Sequence, residues 1–197
     1  MTNTWPVLDE AHRALRTVIA ALKPEDWTRP TPCTQWNVAQ VLQHAAGDQL
    51  GYAAALTGTG GPTFDPFSPS GHLPETDMAA FAEQTLQTAA AAWSTVPADA
   101  VEVPTPLPQG NLPGWLAASA CALDAAVHAW DIAKATAQPS LLTNDLAADL
   151  LKAAQELVEP LRSWGAYAAV IPSTPADDTT ATLLRYLGRD PHWTPAA

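Results

Sequence analysis

The stretch LDAAVHAWDIAKAT, residues 123–136, places ionisable side chains in an otherwise apolar, alanine-rich run. Together with Cys121, the residues Asp124, His128 and Asp131 are spaced so that they share one stripe of a helix. Asp124 and His128 are one turn apart, and both side chains can reach the same point. Helical metal sites are commonly built from two such ligands and others from a facing helix.

A second polar stripe occurs earlier in the chain, where His44 and Asp48 are also one turn apart. If the two helices face each other, His44, Asp124 and His128 form a set of two histidines and one carboxylate. Such a set leaves coordination positions open for water or substrate. The spacing leaves an alternative open, because Asp124 and His128 could form a simple i,i+4 ion pair.

Further side chains around these stripes are candidates for chemistry. Asp48 is a candidate general base, and Asp131 is a candidate for fixing a histidine tautomer or capping the pocket. We predict the pocket wall at Trp36, Cys121 and Trp130, with core packing as the alternative for each. The remaining histidines have no partner at ligand spacing, and we expect them on the surface or in loops: His12, His72 and His192.

Apolar residues at helical spacing predict six helices that would carry these side chains. Their ranges are about 7–22, 37–56, 77–94, 113–136, 144–159 and 178–187, with Pro160 ending the fifth and Gly188 the sixth. No alternating pattern of useful length predicts a strand. The sequence therefore predicts one all-α domain over residues 1–197, a bundle with an up-down core. The Pro- and Gly-rich connections 57–76 and 97–113 are candidates for lids or pocket walls.

Composition excludes several classes of protein. The formal net charge is −11 with only nine Lys and Arg, so no basic stripe exists to bind nucleic acid or an anionic membrane surface. No apolar run approaches the roughly 20 residues of a membrane span, and the N-terminus does not resemble a signal peptide. The two cysteines form neither a disulfide framework nor a metal knuckle. We therefore expect a cytoplasmic protein that acts on a small molecule.

Three blocks of the sequence resemble a known family. TPCTQWNVAQVLQHAAG (31–47) is similar to a TPC-x-x-W-x-V-x-x-L-x-x-H-x-x-G signature of DinB-like helical bundles. DAAVHAWDIAKATAQ (124–138) resembles a segment of the actinobacterial branch that includes the N-terminal domain of mycothiol-dependent maleylpyruvate isomerase. LLRYLGRDPHW (183–193) is similar to the ending of a subgroup known only as metal-binding.

The resemblance implies a DinB-like four-helix bundle with additional short helices. It also implies that a histidine, an acidic residue and a second histidine bind a divalent metal, with zinc as the expected ion and nickel as the alternative. These ligands fall on His44, Asp124 and His128, the triplet that helical spacing also indicates. The sequence departs from the family pattern twice: Asp124 stands where relatives have Glu, and Ala137 stands where they have Gly.

An open metal site acts as a Lewis acid and lowers the pKa of a bound water or thiol. The resemblance implies a metal-dependent transferase or isomerase that uses a mycothiol-type low-molecular-weight thiol and a small electrophile. Two alternatives are a non-catalytic binding or stress-response module with a degenerate metal site, and a metal-dependent hydrolase. A homodimer is kept as an alternative to a monomer. An anionic thiol would also need a cation, for which the candidates are Arg13, Arg16, Lys134, Arg185 and Arg189.

Overall fold

The structure, a computed structural model, describes residues 5–72 and 77–195 and confirms the all-α class. The helices are α1 Pro6–Ala20, α2 Val38–Thr57, α3 Met78–Trp93, α4 Gly114–Ala135, α5 Asn144–Arg162 and α6 Thr179–Tyr186, with a 3-10 turn at Pro24–Asp26. In these two ranges the extended pairing is limited to isolated bridges, Pro30 with Asn37 and Val103 with Leu112. None of the described helices is long and apolar enough to cross a bilayer.

Helix α4 is the centre of the bundle. It packs against α1, α2 and α5, and 19 of its 22 residues are buried. A helix enclosed on all sides has to be apolar around its whole circumference, which explains its many alanines. Helix α2 lies between α3 and α4. The two helices that carry the polar stripes are therefore neighbours, as the spacing argument required.

The start of α2 is set by a capping box. Asn37 Oδ1 accepts from the backbone N–H of Gln40 at 3.0 Å, and Gln40 Oε1 accepts from the backbone N–H of Asn37 at 3.1 Å. These bonds satisfy donors that the first turn of a helix leaves free. The cap sets the register of α2 and thereby the direction of His44, two turns further on.

Helix α6 packs on α5, and a glycine turn directs the chain that follows it. Gly188 has φ of 78°, the left-handed conformation that ends many helices. The backbone N–H of Arg189 donates to Leu184 O at 2.8 Å, which closes the turn. A Cβ atom at Gly188 would lie 2.7 Å from Ala168 Cβ and 2.8 Å from Ala168 O, so a larger residue does not fit.

Two helix ends differ from the sequence prediction. Helix α1 ends at Ala20 and not at Leu22. Pro160 lies inside α5, which continues to Arg162. A proline in the last turn removes one hydrogen bond on the exposed face, while burial of Leu161 in line with Leu157 and Val158 favours continuation. Of the predicted loop 57–76, residues 73–76 lie outside the described residues.

Candidate metal centre

Helices α2 and α4 bring His44, Asp124 and His128 together. Asp124 Oδ1 lies 3.2 Å from His44 Nε2 and 3.4 Å from His128 Nε2. One potential ligand atom from each residue lies within 4.8 Å of the others. Ligand atoms about 2.0–2.1 Å from a tetrahedral Zn²⁺ are about 3.3 Å from one another, which matches the two histidine–carboxylate distances.

The other ring nitrogen of each histidine is already engaged as a donor. His44 Nδ1 lies 2.8 Å from Pro66 O, and His128 Nδ1 lies 2.9 Å from Asp131 Oδ2. A carbonyl and a carboxylate only accept, so Nδ1 carries the proton in both rings. In the neutral rings both Nε2 lone pairs then point at the same Asp124 oxygen. Three acceptors that converge in this way require positive charge between them, either protons or a metal ion.

The second oxygen of Asp124 supports the same interpretation. Asp124 Oδ2 is buried and has no hydrogen-bond partner among residues 5–72 and 77–195. A buried carboxylate oxygen without a donor is costly, and it often marks the position of an ion or water. Two imidazole nitrogens and a carboxylate suit zinc and other divalent transition metals. The residues present therefore fit a divalent metal.

The charges of Asp124 and His128 stabilise each other. Burial opposes ionisation of Asp124, but His128 and His44 outweigh it and hold the pKa of Asp124 below its usual value. Burial also opposes the charge of His128, and the carboxylates of Asp124 and Asp131 overcome it to raise the pKa of His128 to about 9. In the absence of a metal, a proton on His128 balances the Asp124 carboxylate.

Asp131 lies behind His128 and is completely buried. Arg189 Nε donates to Asp131 Oδ1 at 2.9 Å, and Arg189 Nη2 donates to Asp131 Oδ2 at 2.8 Å. Burial would raise the pKa of Asp131, but the Arg189 charge and the His128 hydrogen bond hold it below its usual value. Two roles were predicted for Asp131, fixing a histidine tautomer and capping the pocket. Its contacts support the first.

Aromatic rings surround the two histidines. The ring of Trp36 lies 4.7 Å from the ring of His44 and 6.5 Å from that of His128. The ring of Phe67, which is 65% exposed, lies 5.6 Å from His44. Trp36 is held in place by Thr31, whose hydroxyl donates to Trp36 O at 2.8 Å. The TPC-x-x-W motif therefore forms one wall of the site.

A segment that we call the strap, residues 64–71, lies over the start of α2. Gln43 Oε1 accepts from the backbone N–H of Gly71 at 2.7 Å, and Gln40 Nε2 donates to Pro69 O at 3.0 Å. A Cβ atom at Gly47 would lie 2.9 Å from the Phe64 ring and 3.0 Å from Pro66 Cγ, so a larger residue would have to displace these side chains. The described part of the 57–76 connection thus covers His44, in line with the predicted pocket wall.

Other sequence candidates have different surroundings. Burial, and then the charge of Asp124, raises the pKa of Asp48 well above its usual value, which favours the protonated form of this carboxyl. Its role as a general base stays a prediction. Cys121 is fully buried, and its thiol donates to Gln49 Oε1 at 3.0 Å. Trp130 is also a core residue, with Lys134 Nζ 5.7 Å from its ring centre. These two residues belong to the core and not to an accessible pocket wall.

His12 corrects the expectation of a surface or loop residue. It is buried in α1, and its Nε2 lies 2.8 Å from Gln49 Oε1. Gln49 Nε2 also donates to Cys121 O at 3.1 Å. This network links α1, α2 and α4 and explains why a polar residue is tolerated there.

Sequence reasoning missed two tyrosines near the site. Burial and then Asp48 raise the pKa of Tyr52, whereas burial and then Asp124 raise the pKa of Tyr167. Tyr52 continues the α2 stripe one turn beyond Asp48, and that spacing was a usable signal. Tyr167 lies in the connection after α5, where no periodicity points to it.

Most of the predicted cations are engaged in ion pairs. Arg16 pairs with Glu83 at 2.8 Å, and Arg185 pairs with Asp177 at 2.9 Å. Arg189 pairs with Asp131. Arg189 is therefore part of the support of His128, and it is not a free cation for an anionic thiol.

Comparison with known proteins assigns the family. Residues 8–133 match the sequence model of the mycothiol maleylpyruvate isomerase N-terminal domain. The chain belongs to this family. It is 30% identical over 152 residues to an uncharacterized protein of Mycobacterium tuberculosis, found in strains H37Rv and CDC 1551, with 76% of each chain covered.

A solved structure shares the fold. A crystal structure of a histidine-to-alanine mutant of mycothiol-dependent maleylpyruvate isomerase matches with a TM-score of 0.62 and 15% identity. The match covers 93% of this chain and 89% of that chain. The family match includes His44, Asp124, His128 and Asp131, but Arg189 lies beyond its last residue.

Proposed function

We propose that this protein is a metal-dependent enzyme that transfers or isomerises a small electrophile with the help of a low-molecular-weight thiol of the mycothiol type. His44, Asp124 and His128 would hold the metal, with zinc as the expected ion and nickel as the alternative. The single observation that carries the proposal is the convergence of three acceptor atoms, namely Asp124 Oδ1 and the Nε2 atoms of His44 and His128. The family relationship supports the thiol.

A bound divalent metal would supply Lewis acidity and lower the pKa of a thiol or water beside it. The chain's own residues provide the rest of the site. The Pro66 carbonyl and the Asp131 carboxylate hold the two rings with their Nε2 atoms toward Asp124. The rings of Trp36 and Phe67 lie against the ring of His44 and supply an apolar surface beside the site. Asp48 lies one turn after His44 on α2, and its raised pKa makes it the candidate that would donate a proton to a substrate oxygen.

The metal site is tested first by metal content and thermal stability. We expect the untagged protein from metal-supplemented growth to contain close to one ion per chain, and fewer than about 0.1 would contradict the site. Zinc at about 100 times its Kd should stabilise the native state by about 2.7 kcal/mol. A chelator should reverse the rise in Tm.

Asp124→Asn is the matched variant, because it keeps the shape of the side chain and removes its charge. Loss of a group that only orients a metal ligand typically weakens metal binding by about 10- to 100-fold. We expect Asp124→Asn to weaken it further, because Asp124 would be a ligand itself. Asp149→Asn, on the exposed face of α5, is the control and should bind as the wild type does. Equal metal content in all three proteins would show that Asp124 is not a ligand.

The reaction class is tested by turnover of electrophiles with and without mycothiol. Thiol-dependent loss of the electrophile, absent in Asp124→Asn, supports the proposal. Turnover that is independent of thiol favours the metal-dependent hydrolase. Metal binding without any turnover favours the non-catalytic binding module.

A further inference from the structure

We propose that the C-terminal segment completes the metal centre: Arg189 positions His128 by holding the Asp131 carboxylate to which His128 donates. Arg189 is thus a positioning residue that acts through Asp131. The inference rests on the proposed metal site, and it adds a part of the chain that lies outside the family match, which ends at residue 133.

The contacts form an unbroken chain from the segment after α6 to the ligand. Two N–H groups of Arg189 contact both oxygens of Asp131, at 2.9 Å and 2.8 Å. Two parallel bonds of this kind set the plane of the carboxylate as well as its position. The Asp131 oxygen that accepts from Arg189 Nη2 also accepts from His128 Nδ1 at 2.9 Å.

The burial of these groups makes the arrangement rigid. Asp131 is 0% exposed and the Arg189 side chain is 11% exposed, so little water is available to replace either partner. Asp131 can accept from His128 only while it keeps its orientation. An oriented, ionised carboxylate on Nδ1 selects the tautomer with a free Nε2 and makes that nitrogen a better ligand.

The backbone conformation at Gly188, directly before Arg189, is fixed by close contacts. Gly188 has a left-handed conformation, and its Cα faces the backbone oxygens of Ala168 and Ala169 at a distance where a Cβ atom would lie 2.8 Å from each. The N–H of Arg189 donates to Leu184 O in the same turn. The end of α6 is therefore built so that residue 189 points back to α4.

Arg185, on α6 and four residues before Arg189, provides a matched control. Arg185 Nε pairs with Asp177 Oδ2 at 2.9 Å, and the two side chains are 12% and 6% exposed. This ion pair is as enclosed as that of Arg189, but it does not involve Asp131. Loss of either arginine should therefore affect stability, whereas only loss of Arg189 should affect the metal ligand.

The experiment measures zinc affinity by competition with a chromogenic chelator, and the visible absorption of the Co²⁺-loaded full-length protein. We expect Arg189→Gln to weaken zinc binding by about 10-fold or more and to change the Co²⁺ bands. Arg189→Lys keeps the charge but loses the two parallel N–H donors of the guanidinium, so its zinc affinity should lie between those of Arg189→Gln and the wild type. Arg185→Gln should lower Tm and leave both metal measurements as in the wild type.

Removing Arg189 alone leaves the buried charge of Asp131 without its partner, which can prevent folding. A double variant keeps the test decisive in that case. Arg189→Gln combined with Asp131→Asn removes both charges and should fold with lowered zinc affinity. Wild-type affinity and Co²⁺ bands in these variants would overturn the inference and leave the metal site standing. A wild-type protein that binds neither ion would instead overturn the proposed function, and the inference with it.

Discussion

The histidines of this chain differ in the group that each ring faces. His44 and His128 direct Nε2 toward the Asp124 carboxylate, whereas His12 faces the neutral amide oxygen of Gln49. A carboxylate favours positive charge at the ring, from a proton or a metal. Burial outweighs the hydrogen bond to the Gln49 amide and favours the neutral ring of His12. The same residue type therefore forms a candidate metal ligand in one place and a structural hydrogen bond in another.

His12 predicts a pH dependence of stability. Burial lowers the pKa of His12 below its usual value, so the unfolded chain binds this proton more readily than the native protein. The contribution of His12 is complete above the unfolded pKa of about 6.5 and is lost as the pH falls below it. We expect the contribution of His12 to the free energy of unfolding to decrease as the pH falls from about 6.5 to 5. In metal-free protein His128 and Asp48, whose pKa values are raised, act in the opposite direction, so the contribution of His12 has to be isolated by a variant.

The matched variant is His12→Gln, which can still donate to Gln49 but does not titrate. The free energy of unfolding of the wild type relative to this variant, measured by urea unfolding at each pH, should fall as the pH decreases below about 6.5. The same change with pH in both proteins would show that His12 does not titrate on unfolding.

At the scale of the elements, helix ends decide where the site residues lie. Helices α4 and α6 both end in a turn with a residue in the left-handed conformation, Ala137 (φ 56°) and Gly188 (φ 78°). In the first turn, Gln138 N donates to Ala133 O at 2.9 Å. Alanine is strained in this conformation, and glycine is not.

Ala137→Gly should therefore stabilise the protein, which is the reverse of the usual effect of glycine. Relief of the left-handed conformation is worth about 1–2 kcal/mol, partly offset by the greater freedom of glycine in the unfolded chain. We expect a rise in Tm of about 2–4 °C per kcal/mol gained. Differential scanning calorimetry measures it.

Ala91→Gly is the control, since Ala91 lies on the exposed face of α3 in ordinary helical conformation. There the substitution should destabilise by about 1 kcal/mol. A lower Tm for both variants would contradict the assigned strain at Ala137.

At the scale of the whole molecule, acidic groups outnumber basic groups by about two to one. The chain has 20 Asp and Glu against nine Lys and Arg. Seven of those nine cations are in ion pairs: Arg13, Arg16, Arg29, Lys152, Arg162, Arg185 and Arg189. The excess of negative charge therefore has little positive charge left to compensate it, and repulsion opposes the compact state.

This excess predicts that salt stabilises the protein. Raising NaCl from low concentration to 0.1 M shortens the screening length from about 30 Å to about 10 Å, which weakens repulsion between distant carboxylates. We expect Tm to rise over this range. Asp99→Lys, at an exposed position, changes the net charge of −11 by two units and should reduce the salt response. A Tm that falls with salt would show that the ion pairs outweigh the repulsion.

Local signals in the sequence were sufficient to predict the helices and most of the candidate metal triplet. Apolar spacing, the Asn37 cap and Gly188 act within a few residues, so α2, α4 and α6 were predicted close to their observed bounds. The one-turn spacing of Asp124 and His128 follows from helix geometry alone. The family was also predicted, since its motifs are local strings.

Only the tertiary structure decided what surrounds these residues. The pairing of Arg189 with Asp131 spans 58 positions, and that of His44 with Asp124 spans 80. Which elements pack together decides the burial of His12, the raised pKa of Asp48 and the contact of the Pro66 carbonyl with His44. Periodicity tells which face of a helix is polar, but desolvation and pairing energies arise only once another element covers that face.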